Sequence, residues 1–202
     1  GFCLVGSEMC IRDRMDIFRN KTQAFADQLL TDITEPFELI ELGAGNGSKT
    51  IHLLRYLLDA KVDFEYVPVD ISQNSLDLLE SKLAKELPDL GVNKMQGDYF
   101  EVLPKLKKDA KQKVVLFLGS NIGNLNDNES SSFLKQLGDN LNQSDKLILG
   151  VDLIKPKEIV LPAYDDAKGI TAKFNLNLLS RINKELGGNF EISNFRHAPE
   201  YD

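Results

Sequence analysis

Cysteine is nearly missing from this chain of 202 residues: Cys3 and Cys10 stand near its start, and none comes after them. From residue 11 onward that excludes a disulfide framework, a thiolate metal site and a cysteine nucleophile, and it suits a reducing cytoplasm. Long apolar runs are missing too. The longest, such as VVLFLG and LILGV, fall far short of the roughly 18 consecutive residues that a membrane span requires. A soluble chain is expected. Positive charge is in deficit, with 24 Lys and Arg against 31 Asp and Glu, a net charge of -7 and a pI near 5.0. Nucleic acid is therefore a poor partner, because neutralising phosphates takes clustered Lys and Arg. The one basic cluster, Lys105, Lys107 and Lys108, is interrupted by Leu106 and followed by Asp109. It reads as a solvated face. No general base stands out: His52 falls on a predicted helix as a surface or packing residue, and His197 stands near the last residue without informative neighbours.

The first fourteen residues, GFCLVGSEMCIRDR, share no periodicity with the rest of the chain. LVGSEMCIRDR resembles the translation of a transposon-end adapter used in sequencing libraries. Residues 1–14 are accordingly expected to be an artefact outside the fold, set aside like a tag. The chain also stops in mid-pattern at HAPEYD, so parts of the natural protein are expected to be missing at both ends. With 42% hydrophobic residues, the remainder can bury the core of one domain plus a piece of a second.

From Met15 to Leu30 apolar residues recur at helical spacing. Strand and helix then alternate. FELIEL (37–42) reads as a buried strand entering a glycine loop, and KTIHLLRYLLDA as the helix after it. FEYVPVD (64–70) is a second strand, followed by a helix near 75–87 with Leu76, Leu79, Leu83 and Leu87 on one face. GVNKMQGDY holds a weaker third strand, KVVLFLG (113–119) a fourth, and DKLILGVDL a fifth after a helix reaching Leu141. Strands apolar on both faces that alternate with helices imply a doubly wound, mostly parallel α/β sheet. This domain is expected over residues 15–155. After Pro156 the pattern changes to a long helix, GITAKFNLNLLSRINKELGG, stopped by Gly187 and Gly188, and then to NFEISNF, which reads as the start of another strand. Residues 156–202 are expected to begin a second, substrate-binding subdomain.

ELGAGNGSKT (41–50) carries the chemistry. Ligands of open parallel sheets bind at the carboxyl ends of the strands, where this loop stands. A nicotinamide loop wants GxGxxG, but Gly43-Ala44-Gly45-Asn46-Gly47 brings the third glycine one place early. A nucleotide P-loop wants glycine before its lysine, where Ser48 precedes Lys49; Asp152, ending LILGVD, keeps that reading open as a magnesium-binding position. ExGxGxG matches throughout and resembles the first motif of Rossmann-like methyltransferases that use S-adenosylmethionine (SAM). Gly43, Gly45 and Gly47 then make room for SAM against the backbone. Asp70 and Asp98 come at the next two strand ends, and their carboxylates can accept from ribose hydroxyls and an adenine amine. Taken singly, each of them is equally well read as a helix N-cap.

FLGSNIGNLN (117–126), GVDLIKP (150–156) and AYDDAKGITAKFNLNLL (163–179), with ELGAGNGSKT and YVPVDIS, resemble the L-histidine Nα-methyltransferase family of ergothioneine biosynthesis, which includes fungal dimethylallyltryptophan N-methyltransferases. The likeness runs from about Arg19 onward. It implies a Rossmann-like SAM-dependent methyltransferase with part of a substrate-binding subdomain. It further implies that Gly43, Lys49, Asp70, Gly97, Asp98 and Tyr99 contact SAM, and that Gly119, Asn124 and Tyr164 serve the substrate amino acid. Asn124 and Tyr164 would grip its carboxylate. The activity implied is repeated methyl transfer to the α-amine of histidine, by a cytoplasmic monomer without a metal. In that family further substrate contacts come from regions this chain does not match. A tryptophan derivative as substrate, or a SAM-binding piece without activity, stays open here.

Overall fold

The computed structural model describes residues 15–106, 111–119, 121–151 and 153–201, without the side chains of Leu106, Asn121 and Asn124. Residues 1–14, the basic-cluster members Lys107 and Lys108 with Asp109, and Asp152 lie outside it. The chain divides into two compact units, which meet at 152/153.

In the first unit, helical residues 15–20 lead into α1 (Thr22–Leu30). Next come β1 (Phe37–Leu42), α2 (Thr50–Asp59), β2 (Phe64–Asp70), α3 (Gln73–Glu86), β3 (Met95–Gln96) and α4 (Tyr99–Leu106). β4 (Gln112–Phe117), a 3-10 turn (Asn121–Asn124), α5 (Asp127–Asp139) and β5 (Lys146–Leu149) complete it. The five strands form one sheet in the order β3-β2-β1-β4-β5, and every pairing is parallel.

Strand alternation sorts the core into two layers. Phe37 and Leu39 of β1, Tyr66 of β2 and Val114 and Leu116 of β4 pack with α1, α2 and α3 on one face. Ile40, Leu42, Val67, Val69, Val115 and Phe117 pack with Val102 and Leu103 of α4 and Phe133 and Leu137 of α5 on the other. This is the doubly wound arrangement that apolar strands between amphipathic helices dictate. Leu53, Leu54 and Leu57 of α2 are fully buried, each contributing about 1.5–3 kcal/mol of transfer free energy. The chain leaves β1 for β2 and β3 on one side and returns to β4 on the other, so its topological switch lies at the end of β1.

The second unit holds α6 (Lys157–Tyr164), α7 (Ile170–Leu186) and a 3-10 turn (Ile192–Asn194). Gly187 closes α7 in a left-handed conformation, φ 68°, as its place in the sequence implies. NFEISNF, however, is not a strand. Its backbone is held by a side chain instead: the Asn183 amide accepts the Phe190 N–H at 2.8 Å and donates to its carbonyl at 2.7 Å. α4 and α6 are additions to the sequence reading.

Candidate functional site

The glycine loop begins by hooking over the neighbouring strand, with the N–H groups of Gly43 and Ala44 both donating to the Val69 carbonyl, at 2.8 and 3.1 Å. Gly43, Gly45 and Gly47 have φ of 73°, 54° and 59°. Side chains strain that left-handed region by about 1–2 kcal/mol per residue. The neighbourhoods of two of them differ. A Cβ on Gly45 would meet nothing within 4 Å, whereas one on Gly47 would stand 2.4 Å from Leu79 Cδ1 of α3. Gly45 therefore faces open space in which a ligand can approach the backbone, and Gly47 lets α3 close on the loop. Ser48 N–H turns back to the Asn46 side chain at 3.0 Å, and Lys49, half-buried, stands at the start of α2.

Asp70, at the end of β2, joins the loops. Its Oδ2 accepts the Gly45 N–H at 3.1 Å and its Oδ1 the Ser72 N–H at 2.9 Å. It is not a helix N-cap, since Ser72 performs that task for α3 by accepting from the Ser75 N–H. A carboxylate accepts about four hydrogen bonds, so Asp70 keeps lone pairs for a ligand. The Asp70 carbonyl in turn accepts the Gly97 N–H at 3.2 Å, which brings Gly45, Asp70 and Gly97 together across three strand ends. Asp98 is exposed, and its Oδ1 accepts the Phe100 N–H at 2.9 Å, so it does hold the start of α4. Tyr99 is half-buried with its ring edge-on to Phe117 and Phe133, at 5.6 and 6.0 Å.

Gly119 lies just beyond the end of β4, ahead of the 3-10 turn Asn121–Asn124. Ile122 and Leu125 anchor that turn against the α4/α5 face. A capping box fixes the start of α5 behind it: Asn126 Oδ1 accepts the Glu129 N–H, and Glu129 Oε2 accepts the Asn126 N–H, each at 3.0 Å. The backbone of Asn124 belongs to this turn; its side chain is outside the described residues. Tyr164, the last residue of α6 in the second unit, is half-buried.

Glu41 is the residue whose part the sequence did not reveal. It is 6% exposed, and its two oxygens accept from Thr50 Oγ1 of α2 at 2.6 Å and from the Tyr66 hydroxyl of β2. Burial pushes its carboxyl up, against the pull of the two hydroxyls and of Lys49. The Tyr66 hydroxyl is pushed well above its usual range, first by burial and then by Glu41, and so remains the donor. The signal was an acid inside a strand otherwise buried throughout, where an ionisable side chain requires partners. His52 is half-buried on α2, its pKa lowered by burial first and then by Arg19, Arg55 and Lys82.

Open space beside Gly45 and spare acceptors on Asp70 fit a ligand with hydroxyls and a cationic centre. The sequence model of the family described as histidine-specific methyltransferase, SAM-dependent, matches residues 10–202.

The chain belongs to this family.

Among relatives of these SAM-dependent histidine-specific methyltransferases, it is 37% identical to the histidine N-alpha-methyltransferase of Mycolicibacterium smegmatis over 164 residues, 81% of this chain and 51% of that protein. The Mycobacterium tuberculosis protein of the same name is 34% identical over 164 residues, again 81% of this chain and 51% of the relative. Ergothioneine biosynthesis protein 1 of Schizosaccharomyces pombe is 32% identical over 202 residues, 93% of this chain and 25% of that protein. The chain thus spans about half the length of the two mycobacterial relatives.

Proposed function

We propose that the protein transfers methyl groups from SAM to the α-amino nitrogen of L-histidine, up to the trimethylated product. The observation that carries this is the Gly45–Asp70 junction at the topological switch of a chain in the SAM-dependent histidine-specific family. When bound, SAM would supply a sulfonium-activated methyl group, whose carbon an unprotonated amine attacks in line, the N–C bond forming as the C–S bond breaks and S-adenosylhomocysteine leaves.

In this reading Gly43 and Gly45 let the cofactor lie against the backbone, and Gly47 closes α3 on the loop. Lys49 meets the cofactor carboxylate, and Asp70 accepts from the ribose hydroxyls. Gly97 and Asp98 serve the adenine side, with Tyr99 packing beside it. Gly119 leaves room for the substrate, while Asn124 and Tyr164 donate an amide N–H and a phenol O–H to its carboxylate. Donors in these roles would orient the amine, and a dry site would favour its unprotonated form. No side chain needs to form a covalent intermediate. The scarcity of cysteine suits a reducing cytoplasm, and the acidic net charge suits a small-molecule substrate rather than nucleic acid.

The test is to incubate the full-length protein with SAM and histidine and to follow mass by methyl increments. No gain on histidine, with gain on another amino acid, would replace the substrate; no gain on any, with SAM still bound, would reduce the chain to a binding module. Asn124→Ala should weaken histidine binding while leaving SAM binding nearly unchanged. Equal loss of both would contradict the role given to Asn124.

A further inference from the structure

Helix α6 ends at Tyr164, so the carbonyl of that residue has no partner within its own helix. His197, 33 residues further along, supplies one: its Nε2 lies 2.6 Å from the Tyr164 carbonyl oxygen, and its Nδ1 lies 3.2 Å from Nδ2 of Asn175 in α7. A carbonyl only accepts and an amide N–H2 only donates. One ring tautomer satisfies both contacts, with Nε2–H donating to Tyr164 and bare Nδ1 accepting from Asn175.

The surroundings hold this bridge in place. Beyond the Asn183 clamp on Phe190, the rings of Phe190 and Phe195 meet edge-on at 5.8 Å, and the Tyr201 hydroxyl donates to the Lys155 carbonyl at 3.3 Å, just ahead of α6. Two residues after Tyr164, Asp166 accepts the N–H groups of Thr171 and Ile170 at 2.7 and 2.9 Å and so fixes the start of α7. Tyr164 therefore sits between two anchors, and the motif AYDDAKGITAKFN contributes to both, Asp166 to one and Asn175 to the other.

We propose that His197 is a positioning residue for Tyr164: the His197–Asn175 bridge fixes the end of α6 and with it the direction from which the tyrosine hydroxyl meets the amino-acid substrate. This rests on the assignment of Tyr164 to the substrate. His197 itself touches neither substrate nor cofactor.

The test measures dissociation constants for histidine and for SAM by calorimetry on the full-length protein, in Tyr164→Phe, His197→Ala, His197→Gln and the Tyr164→Phe/His197→Ala pair. Tyr164→Phe and His197→Ala should each weaken histidine binding by roughly three- to tenfold, the effect of one hydrogen bond, and change SAM binding less than about twofold. The pair should be no more than about twofold weaker than either single variant, because both act through one contact. His197→Gln should keep most of the affinity, since its amide N–H can donate to the same carbonyl. Full additivity, an unchanged histidine affinity in His197→Ala where Tyr164→Phe has lost it, or equal loss of SAM binding overturns the proposal. If Tyr164→Phe leaves histidine binding intact, the assignment of Tyr164 falls first and takes the proposal with it. Should a variant fail to fold, 15N NMR of the unsubstituted protein decides: the Nε2–H tautomer of His197 is expected, and a ring protonated at Nδ1 overturns it.

Discussion

The carboxylate of Asp70 accepts the backbone N–H of Gly45 at 3.1 Å, fastening the glycine loop after the first strand to the end of the second. A second oxygen of the same group holds Ser72 at 2.9 Å. Asp70→Asn keeps one acceptor but turns an N–H2 toward the other donor and removes the charge. SAM affinity should fall by roughly ten- to a hundredfold, as for losing a charged hydrogen bond of about 1.5–3 kcal/mol. Calorimetric titration with SAM measures this, and the α2 and α3 amide signals should show both helices intact.

Gly45 and Gly47 separate binding from stability. Gly45→Ala meets no neighbour within 4 Å, so only the left-handed backbone penalises it, by about 1–2 kcal/mol; its main effect should be lost SAM binding. Gly47→Ala adds a collision with Leu79 and should destabilise the fold by about 2–5 kcal/mol. Urea unfolding with SAM titration on both variants checks the contrast. Leu79 is itself buried in the core, so Leu79→Ala is costly alone, but its pair with Gly47→Ala should lose less than the sum of the two single losses because the collision is gone.

Glu41 makes a pH-dependent contribution of known sign. Its pKa is raised in the folded protein, so the folded state holds the proton more tightly than the unfolded one. The associated stability is fully present below the ordinary value of 4.5 and is lost as pH rises through the raised one. Glu41→Gln removes that contribution, so the stability difference between variant and wild type should shift in favour of the variant as pH rises from 4.5. Glu41→Leu should be worse at every pH, leaving the Thr50 and Tyr66 hydroxyls without their acceptor at about 1–3 kcal/mol each. Unfolding curves across pH 4 to 8 read both outcomes.

Asp166 carries the opposite sign. The N–H groups of Thr171 and then Ile170 hold its carboxyl down to about 2. The order it lends to the start of α7 is fully present above the ordinary 3.8 and is lost as pH falls through about 2. The amide shifts of Ile170 and Thr171 should titrate there together. In Asp166→Asn, which retains a single acceptor, the first turn of α7 should fray at every pH.

These residues also mark what a sequence discloses. FELIEL and QKVVLF are buried along all or nearly all of their length, so their apolar residues serve both faces of the sheet rather than alternating with exposed ones. The leucines of α2 and α3 repeat at helical spacing because each covers one face of the sheet. α4 and α6 escaped notice for a physical reason: each is eight residues long and encloses a proline, Pro104 or Pro162, where periodicity reads an interruption. NFEISNF alternates like a strand, but alternation does not record that Asn183 supplies its hydrogen bonds. That the glycine loop and the acid ending β2 lie together was legible, because β1 and β2 follow one another along the chain and are neighbours in the sheet. The bond from Glu41 to Tyr66 spans 25 residues and required knowing that β2 lies beside β1. The bridge from His197 to Tyr164 gave no sign at all, since a lone histidine beside no motif has no spacing to interpret.

Strand β1 pairs with β2 on one side and with β4 on the other. During synthesis its second edge must wait for a partner about 70 residues downstream, a delay of roughly 4–14 s at about 5–20 residues per second. For that interval a six-residue strand, wholly buried in the finished protein, offers unpaired backbone to any strand it meets. Glu38 and Glu41, buried once the sheet closes, put two charges on the waiting strand, which should repel copies of itself on neighbouring nascent chains.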